Sequence, residues 1–91
     1  MIEKIKDISK EIMEEVNGAR AYRDQSKEWQ SANSAISKMY YEMATQEISH
    51  AKHLVEILKE MSKNGVSAEE KVLISFIEEI SEDQIAEANI G

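Results

Sequence analysis

The chain has 91 residues, contains no cysteine and no proline, and carries a formal net charge of −7. The absence of cysteine excludes thiolate zinc sites, cysteine-held iron–sulfur clusters, disulfides and a cysteine nucleophile. Any bound metal would therefore have oxygen and imidazole ligands, and the negative charge argues against nucleic acid as a partner.

The same composition predicts a single all-α domain over residues 1–91. Without proline, and with only three glycines, long helices are the default structure. No apolar run approaches the roughly 20 residues that a bilayer span requires. The N-terminus alternates charged residues with isoleucine, which is typical of an amphipathic helix and not of a signal peptide. We therefore expect no membrane association and a cytoplasmic location.

The first helix is predicted over about residues 3–29, with apolar residues at alternating steps of three and four. Glu15 interrupts this apolar face where a helical bundle normally has Leu or Ile. Gly18 lies in the helix interior, where glycine costs up to about 1 kcal/mol relative to alanine, and it indicates a close contact between helices. The face consists of Ile5, Ile8, Ile12, Glu15, Ala19 and Tyr22.

A turn is predicted within residues 30–34, the one stretch rich in small polar residues, which compete with helix by bonding to their own backbone. The periodic pattern does not slip here, so one helix of about 60 residues in an antiparallel rod is the alternative. The hairpin is favoured because a turn near residue 32 brings Glu15 level with Glu47 and His50. In a continuous helix these groups would lie about 48 Å apart.

The second helix is predicted over about residues 34–63 and ends at Asn64-Gly65, where glycine supplies a left-handed cap. Two ionisable residues, Glu47 and His50, interrupt its apolar face. We call this face the α2 seam, and it consists of Ile36, Tyr40, Met43, Glu47, His50, Leu54, Ile57 and Met61.

A short third helix is predicted over about residues 68–80, because Ser67 and Glu70 have the spacing of a capping box. Its predicted core face consists of Leu73, Phe76, Ile77 and Ile80. A second box, from Ser81 to Gln84, predicts a separate terminal helix over about residues 82–88.

Glu15, Glu47 and His50 are the candidate metal ligands. An unpaired carboxylate in a helix interface costs several kcal/mol, as an order of magnitude, and a bound cation would compensate it. The Glu47-x-x-His50 spacing places a carboxylate and an imidazole on one helix face. Di-iron carboxylate bundles take a Glu from each of two helices and Glu-x-x-His from each of two others. This chain has one of each kind, so a homodimer or higher homo-oligomer would complete the site.

These residues give the chain a resemblance to the ferritin-like superfamily, over about residues 8–62. The matching positions are Glu15, Tyr22 seven residues later, and Glu47-x-x-His50-Ala51. The single-hairpin length is similar to that of the encapsulated ferritins, which build a four-helix bundle from two chains. The resemblance implies iron ligation by Glu15, Glu47 and His50, with Glu47 bridging two irons and Tyr22 beside the ligands. It also implies Fe(II) oxidation by dioxygen or peroxide, a ferroxidase activity.

Several alternatives stay open at this point. The residue types suit Fe, Mn and Zn about equally, so iron comes from the resemblance alone. Glu15 and Tyr22 also fit a polar layer that fixes register and a core aromatic. The chain has His53 where many relatives carry an acidic residue, and Glu14 adjoins Glu15 off the seam. The tail over residues 87–91 shows no capsid-docking peptide, and an encapsulating shell is kept as an alternative partner. The rival function is a metal-free oligomeric interaction module, for example of phage or structural origin.

Overall fold

The computed structural model describes residues 1–90, for which it gives three helices and no strand. They are α1 (Ile2–Trp29), α2 (Ser34–Lys63) and α3 (Ala68–Ile90). The all-α class and the helical hairpin predicted from the sequence are thereby confirmed. Residue 91, the last residue of the predicted domain and tail, lies outside the described residues.

The turn between α1 and α2 consists of residues 30–33, so the alternative of one continuous helix is wrong. Asn33 begins α2 as its N-cap. Its side-chain oxygen accepts hydrogen bonds from the backbone N–H groups of Ala35 and Ile36, each at 3.1 Å. The cap satisfies two donors at the start of α2 that have no partner within the helix.

A reciprocal pair of serines joins the two helices next to this turn. Ser26 Oγ donates to the carbonyl oxygen of Ser37 at 2.8 Å, and Ser37 Oγ donates to the carbonyl oxygen of Ser26 at 2.7 Å. Both hydroxyls are part-buried. Because each bond joins a position in α1 to a position in α2, the pair helps to fix the register of the hairpin.

Replacing Ser26 by alanine should destabilise the protein relative to a matched change on an exposed helix surface. The lost hydrogen bond contributes about 1 kcal/mol, while alanine gains up to about 0.5 kcal/mol of helix propensity at either site. Ser75→Ala, at an exposed position of α3, therefore serves as the control. Urea unfolding should show a difference of about 1 kcal/mol between the two variants, and equal stabilities would show that the serine pair is energetically neutral.

The third helix packs along the hairpin and contacts both of its helices. Arg20 Nη2 donates to Gln84 Oε1 at 2.8 Å, and Arg23 Nη1 donates to the carbonyl oxygen of Ala88 at 3.1 Å. On the other side, Lys59 Nζ lies 3.2 Å from a carboxylate oxygen of Glu82. The fully or nearly buried hydrophobic core shared by the three helices consists of Ile5, Ile12, Val16, Ala19, Ile48, Ala51, Val55, Leu58, Ile74, Ile85 and Ala88.

The sequence-based description of the third helix was wrong in two respects. One helix runs from Ala68 to Ile90, where the sequence predicted a short helix over about 68–80 and a separate one over about 82–88. Ser81 is buried in the helix interior with 4% exposure, and Gln84 bonds Arg20. Tertiary packing therefore overrides the local capping signal. Phe76 and Ile80, predicted to face the core, are 61% and 43% exposed.

The start of α3 follows the predicted capping box. Ser67 Oγ accepts a hydrogen bond from the backbone N–H of Glu70 at 3.1 Å, and Glu70 Oε1 accepts one from the backbone N–H of Ser67 at 2.9 Å. The second of these bonds lowers the pKa of Glu70, because it favours the charged carboxylate. Gly65, just after α2, has φ +82°, a conformation that glycine adopts without strain.

Most of the α2 seam lies outside the shared core, against which only the half-buried Leu54 and Met61 of the seam pack. The buried stripe of α2 consists of Ala44, Ile48, Ala51, Val55 and Leu58, whereas the seam residues are half-buried or exposed. Lys52, Val55 and Lys59 line the groove between α2 and α3, so α3 covers the hairpin from that side. We call the uncovered side the open face, and it comprises the α2 seam together with Ile8, Glu15, Gly18 and Tyr22 of α1.

None of the helices between residues 1 and 90 combines the length and the apolar character needed to cross a membrane.

Candidate metal centre

The three candidate ligands lie together in the middle of the open face. One ligand atom each from Glu15, Glu47 and His50 falls within 4.8 Å of the other two. His50 Nδ1 lies 3.4 Å from Glu15 Oε2. The side chains of His50 and Glu15 are 60% and 28% exposed, so the cluster is accessible from the side that α3 leaves uncovered.

The negative charges of the two carboxylates in this cluster are only partly balanced by the protein, through His50. The pKa of Glu47 is raised, chiefly by a hydrogen bond with Glu15, then by burial and by the charge of Glu15, while His50 lowers it. Among residues 1–90, no Lys or Arg forms an ion pair with Glu15 or Glu47. Two carboxylates that repel each other beside an imidazole form a donor set suited to a divalent cation.

Gly18 makes room for the Glu47 carboxylate. A Cβ atom at Gly18 would lie 3.3 Å from Glu47 Oε2 and 3.5 Å from Glu47 Cδ. The absence of a side chain on α1 therefore lets the carboxyl group of α2 approach the α1 backbone closely. The sequence indicated a close helix contact at this glycine, and the structure identifies a carboxylate as the contacting group.

Tyr22, whose role beside the ligands stays a prediction, contacts a second aromatic residue on the open face. Its ring packs against that of Tyr40, with 6.2 Å between the ring centroids and an angle of 34° between the planes. Both rings are half-buried on the open face. The sequence placed both tyrosines on the facing seams but gave no signal that they would pair. Glu14 and His53 are exposed and are not part of the cluster.

The hairpin therefore presents one Glu from α1 and a Glu-x-x-His unit from α2 on a single uncovered face. These residue types and positions match those of the ligands in one half of a carboxylate-bridged di-metal bundle. Fold and ligand arrangement together define a ferritin-like protein. The family model described as Rubrerythrin matches residues 8–88, and the chain belongs to this family.

The match extends beyond the hairpin and includes most of α3. It confirms the ferritin-like resemblance inferred from the sequence, while the specific likeness to encapsulated ferritins stays a prediction. Neither the curated proteins nor the solved structures compared with the chain gave a match.

Proposed function

We propose that the protein is an iron-binding ferroxidase whose di-iron site is shared between two copies of the chain. Two hairpins join through their open faces into a four-helix bundle. Each copy would supply Glu15, Glu47 and His50 as ligands, and Glu47 would be the bridging carboxylate. The substrate is Fe(II), which gives up one electron per ion to dioxygen or peroxide. The observation that carries the proposal is the convergence of these three residues within 4.8 Å.

The composition of the open face supports a second copy as its partner. Two apolar concavities lie on this face, on either side of the cluster along α2. One is lined by Ile36, Met39, Tyr40 and Met43, and the other includes Ile57, Met61 and Val66. A two-fold axis through the cluster would place the first concavity of each copy against the second concavity of the other. The same axis would bring the two sets of ligands together.

The residues of this chain have distinct tasks in the proposed reaction. Glu15 and Glu47 supply the negative charge that attracts and holds the cations, and His50 supplies a neutral nitrogen donor. Because the pKa of Glu47 is raised and a metal ion binds the deprotonated carboxylate, metal affinity should increase as the pH rises through that pKa. Packing of the two open faces would exclude bulk water, which strengthens the electrostatic interactions within the site.

The test is an anaerobic Fe(II) titration of the purified protein, followed by exposure to dioxygen or hydrogen peroxide. We expect saturation at one iron per chain, a solution mass of at least a dimer, and oxidation faster than that of free Fe(II). Parallel titrations with Mn(II) and Zn(II) establish the preferred metal. A protein that takes up no Fe(II) at micromolar concentrations would leave the interaction module as the better function.

The rival function has one observation in its favour. His50 and Glu15 already contact each other at 3.4 Å, which is a partial compensation for the carboxylate without metal. It leaves Glu47 without a cationic partner from Lys or Arg within residues 1–90. The metal-free function therefore does not account for the charge of Glu47, whereas a bound cation would compensate both carboxylates. We favour the metal site for this reason.

Replacing Gly18 by alanine should separate stability from metal binding. The added methyl group would crowd the Glu47 carboxylate at 3.3 Å, and this flexible side chain can swing toward solvent. We expect metal-free stability to stay equal or to rise by up to about 1 kcal/mol, because alanine favours helix. We expect Fe(II) affinity to fall about tenfold, as for changes that misplace a ligand.

The control for this variant is Gly65→Ala, measured by the same melts and titrations. It introduces strain at φ +82° without contacting the cluster, so it should lower stability and leave iron affinity unchanged. A Gly18→Ala protein with wild-type iron affinity would show that the position of Glu47 beside α1 does not matter for binding.

A further inference from the structure

The side of α3 that faces away from the hairpin carries a continuous row of exposed side chains. Val72, Phe76 and Ile80 are 71%, 61% and 43% exposed and follow one another at steps of four residues. Acidic residues extend the same row at both ends with steps of three and four. We call this row the outward seam, and it consists of Glu69, Val72, Phe76, Ile80, Asp83 and Glu87.

The outward seam is separate from the candidate metal centre. The opposite side of α3 makes the contacts with the hairpin, through the buried residues Ile74, Ser81 and Ile85 and the hydrogen bond from Arg20 to Gln84. The metal cluster lies on the side of the hairpin that α3 leaves uncovered. Neither packing of the core nor the proposed di-iron site accounts for the exposure of three large apolar side chains on successive turns of α3.

The charge around the seam identifies the kind of partner that would fit it. Helix α3 contains seven acidic residues and one lysine. Within residues 1–90, Glu69, Asp83 and Glu87 form no ion pair. A complementary surface needs an apolar stripe about 12 Å long, the rise of eight helical residues, with positive charges beyond each end. Ridges of side chains at steps of four pack well against another helix.

We propose that the outward seam docks a basic amphipathic helix of a partner protein. The partner's apolar stripe would cover Val72, Phe76 and Ile80, and its Lys or Arg residues would pair with Glu69, Asp83 and Glu87. The charges disfavour a second copy of this chain as the occupant. A two-fold axis at Phe76 would place Glu69 of one copy opposite Asp83 of the other, and like charges in contact reduce affinity.

The probe is a fluorescently labelled synthetic helix of about 18 residues, with leucines on one face and lysines on the other. A peptide with glutamate in place of lysine tests the role of charge. Fluorescence anisotropy of the full-length protein should show binding of the lysine peptide and none of the glutamate peptide. Phe76→Asp should weaken binding by at least about tenfold, as expected for the central aromatic residue of an interface.

Two further variants separate the seam from non-specific attraction. The double variant Glu69→Lys/Asp83→Lys should weaken binding without touching the apolar stripe. Tyr41→Asp is the matched control, since Tyr41 is also an exposed aromatic residue, at 53%, but lies on α2 outside the open face, and its binding should equal that of wild type. Circular dichroism verifies that each variant keeps its helical content.

Three outcomes would overturn the proposal. The first is that the wild-type protein fails to bind the lysine peptide at about 100 μM, a concentration at which even a weak specific complex would form. The second is that Tyr41→Asp abolishes binding and Phe76→Asp does not, which would place the peptide elsewhere. The third is that Phe76→Asp lowers the solution mass of the protein in the absence of peptide, which would make the outward seam an interface between copies. None of these measurements involves iron, so they are independent of the proposed ferroxidase function.

Discussion

Glu47→Gln is expected to lower the affinity for Fe(II) by at least about 100-fold, because it neutralises the carboxylate proposed to bridge both ions. Even changes beside metal ligands typically cost about 10–100-fold, and a bridging ligand contacts two ions at once. In the symmetric dimer, Glu15→Gln and His50→Ala each remove one ligand from each ion, whereas Glu47→Gln changes two. These two variants should therefore bind iron more weakly, with partial occupancy remaining. Isothermal titration under anaerobic conditions measures all three effects.

The same substitution should have the opposite effect on the protein without metal. Glu47 has a raised pKa in the folded state, so the folded protein holds this proton more tightly than the unfolded chain does. The resulting stabilisation is complete at pH values below the ordinary carboxyl value of 4.5, and it is lost as the pH rises through the raised pKa. Glu47→Gln removes this loss, so its metal-free form should be at least as stable as wild type at neutral pH.

Glu42→Gln is the control for these measurements, since it makes the same change in charge at an exposed position of α2. It should leave both iron affinity and the pH dependence of the thermal midpoint unchanged. If Glu47→Gln kept wild-type iron affinity, or if it destabilised the metal-free protein like an ordinary core defect, Glu47 would have a structural role and the bridging assignment would be wrong.

Ile57→Asp should convert the protein to a monomer and prevent formation of the shared site. Ile57 is 47% exposed on the open face, two helical turns beyond His50. Within a packed interface between two copies, an unpaired carboxylate costs several kcal/mol, as an order of magnitude. Light scattering should show half the mass of wild type. The thermal midpoint, which depends on concentration for a dimer, should no longer do so.

Val72→Asp provides the matched control, because Val72 is 71% exposed on the far side of α3. This variant should keep the mass and iron stoichiometry of wild type. A dimer that survives Ile57→Asp but dissociates with Val72→Asp would move the interface from the open face to α3. The two hairpins could then not share a site in the proposed manner.

The arrangement of the hairpin could be predicted from the sequence because it depends on residues close together in the chain and on the number of residues on each side of the turn. Small polar residues marked the turn, and equal distances from it placed Glu15 level with Glu47 and His50. The Ser67–Glu70 capping box was predicted for the same reason, since its partners are three residues apart. In each of these cases the interacting groups are fixed by spacing along the chain, and no knowledge of the packing of distant elements is needed.

The description of α3 failed because its outcome depends on packing across the whole molecule. Phe76 and Ile80 belong to an apolar stripe that looks like a core face, while the stripe that is buried includes the small residues Ser81 and Ala88. Small side chains allow helices to approach closely, but composition alone does not reveal which side faces the hairpin. The packing of Tyr22 against Tyr40 was missed because it depends on the relative rotation of two helices.

The position of α3 has a consequence for the order in which the proposed assembly forms. Because α3 leaves the open face uncovered, all three clustered groups are accessible in a free protomer, and an ion can bind before a second copy arrives. Ion binding would then relieve the repulsion between carboxylates that otherwise opposes association of two acidic chains. By thermodynamic linkage, if bound metal increases the affinity between two copies, association of the copies increases the affinity for metal by the same factor. Iron supply and self-assembly would thus be coupled through a single surface.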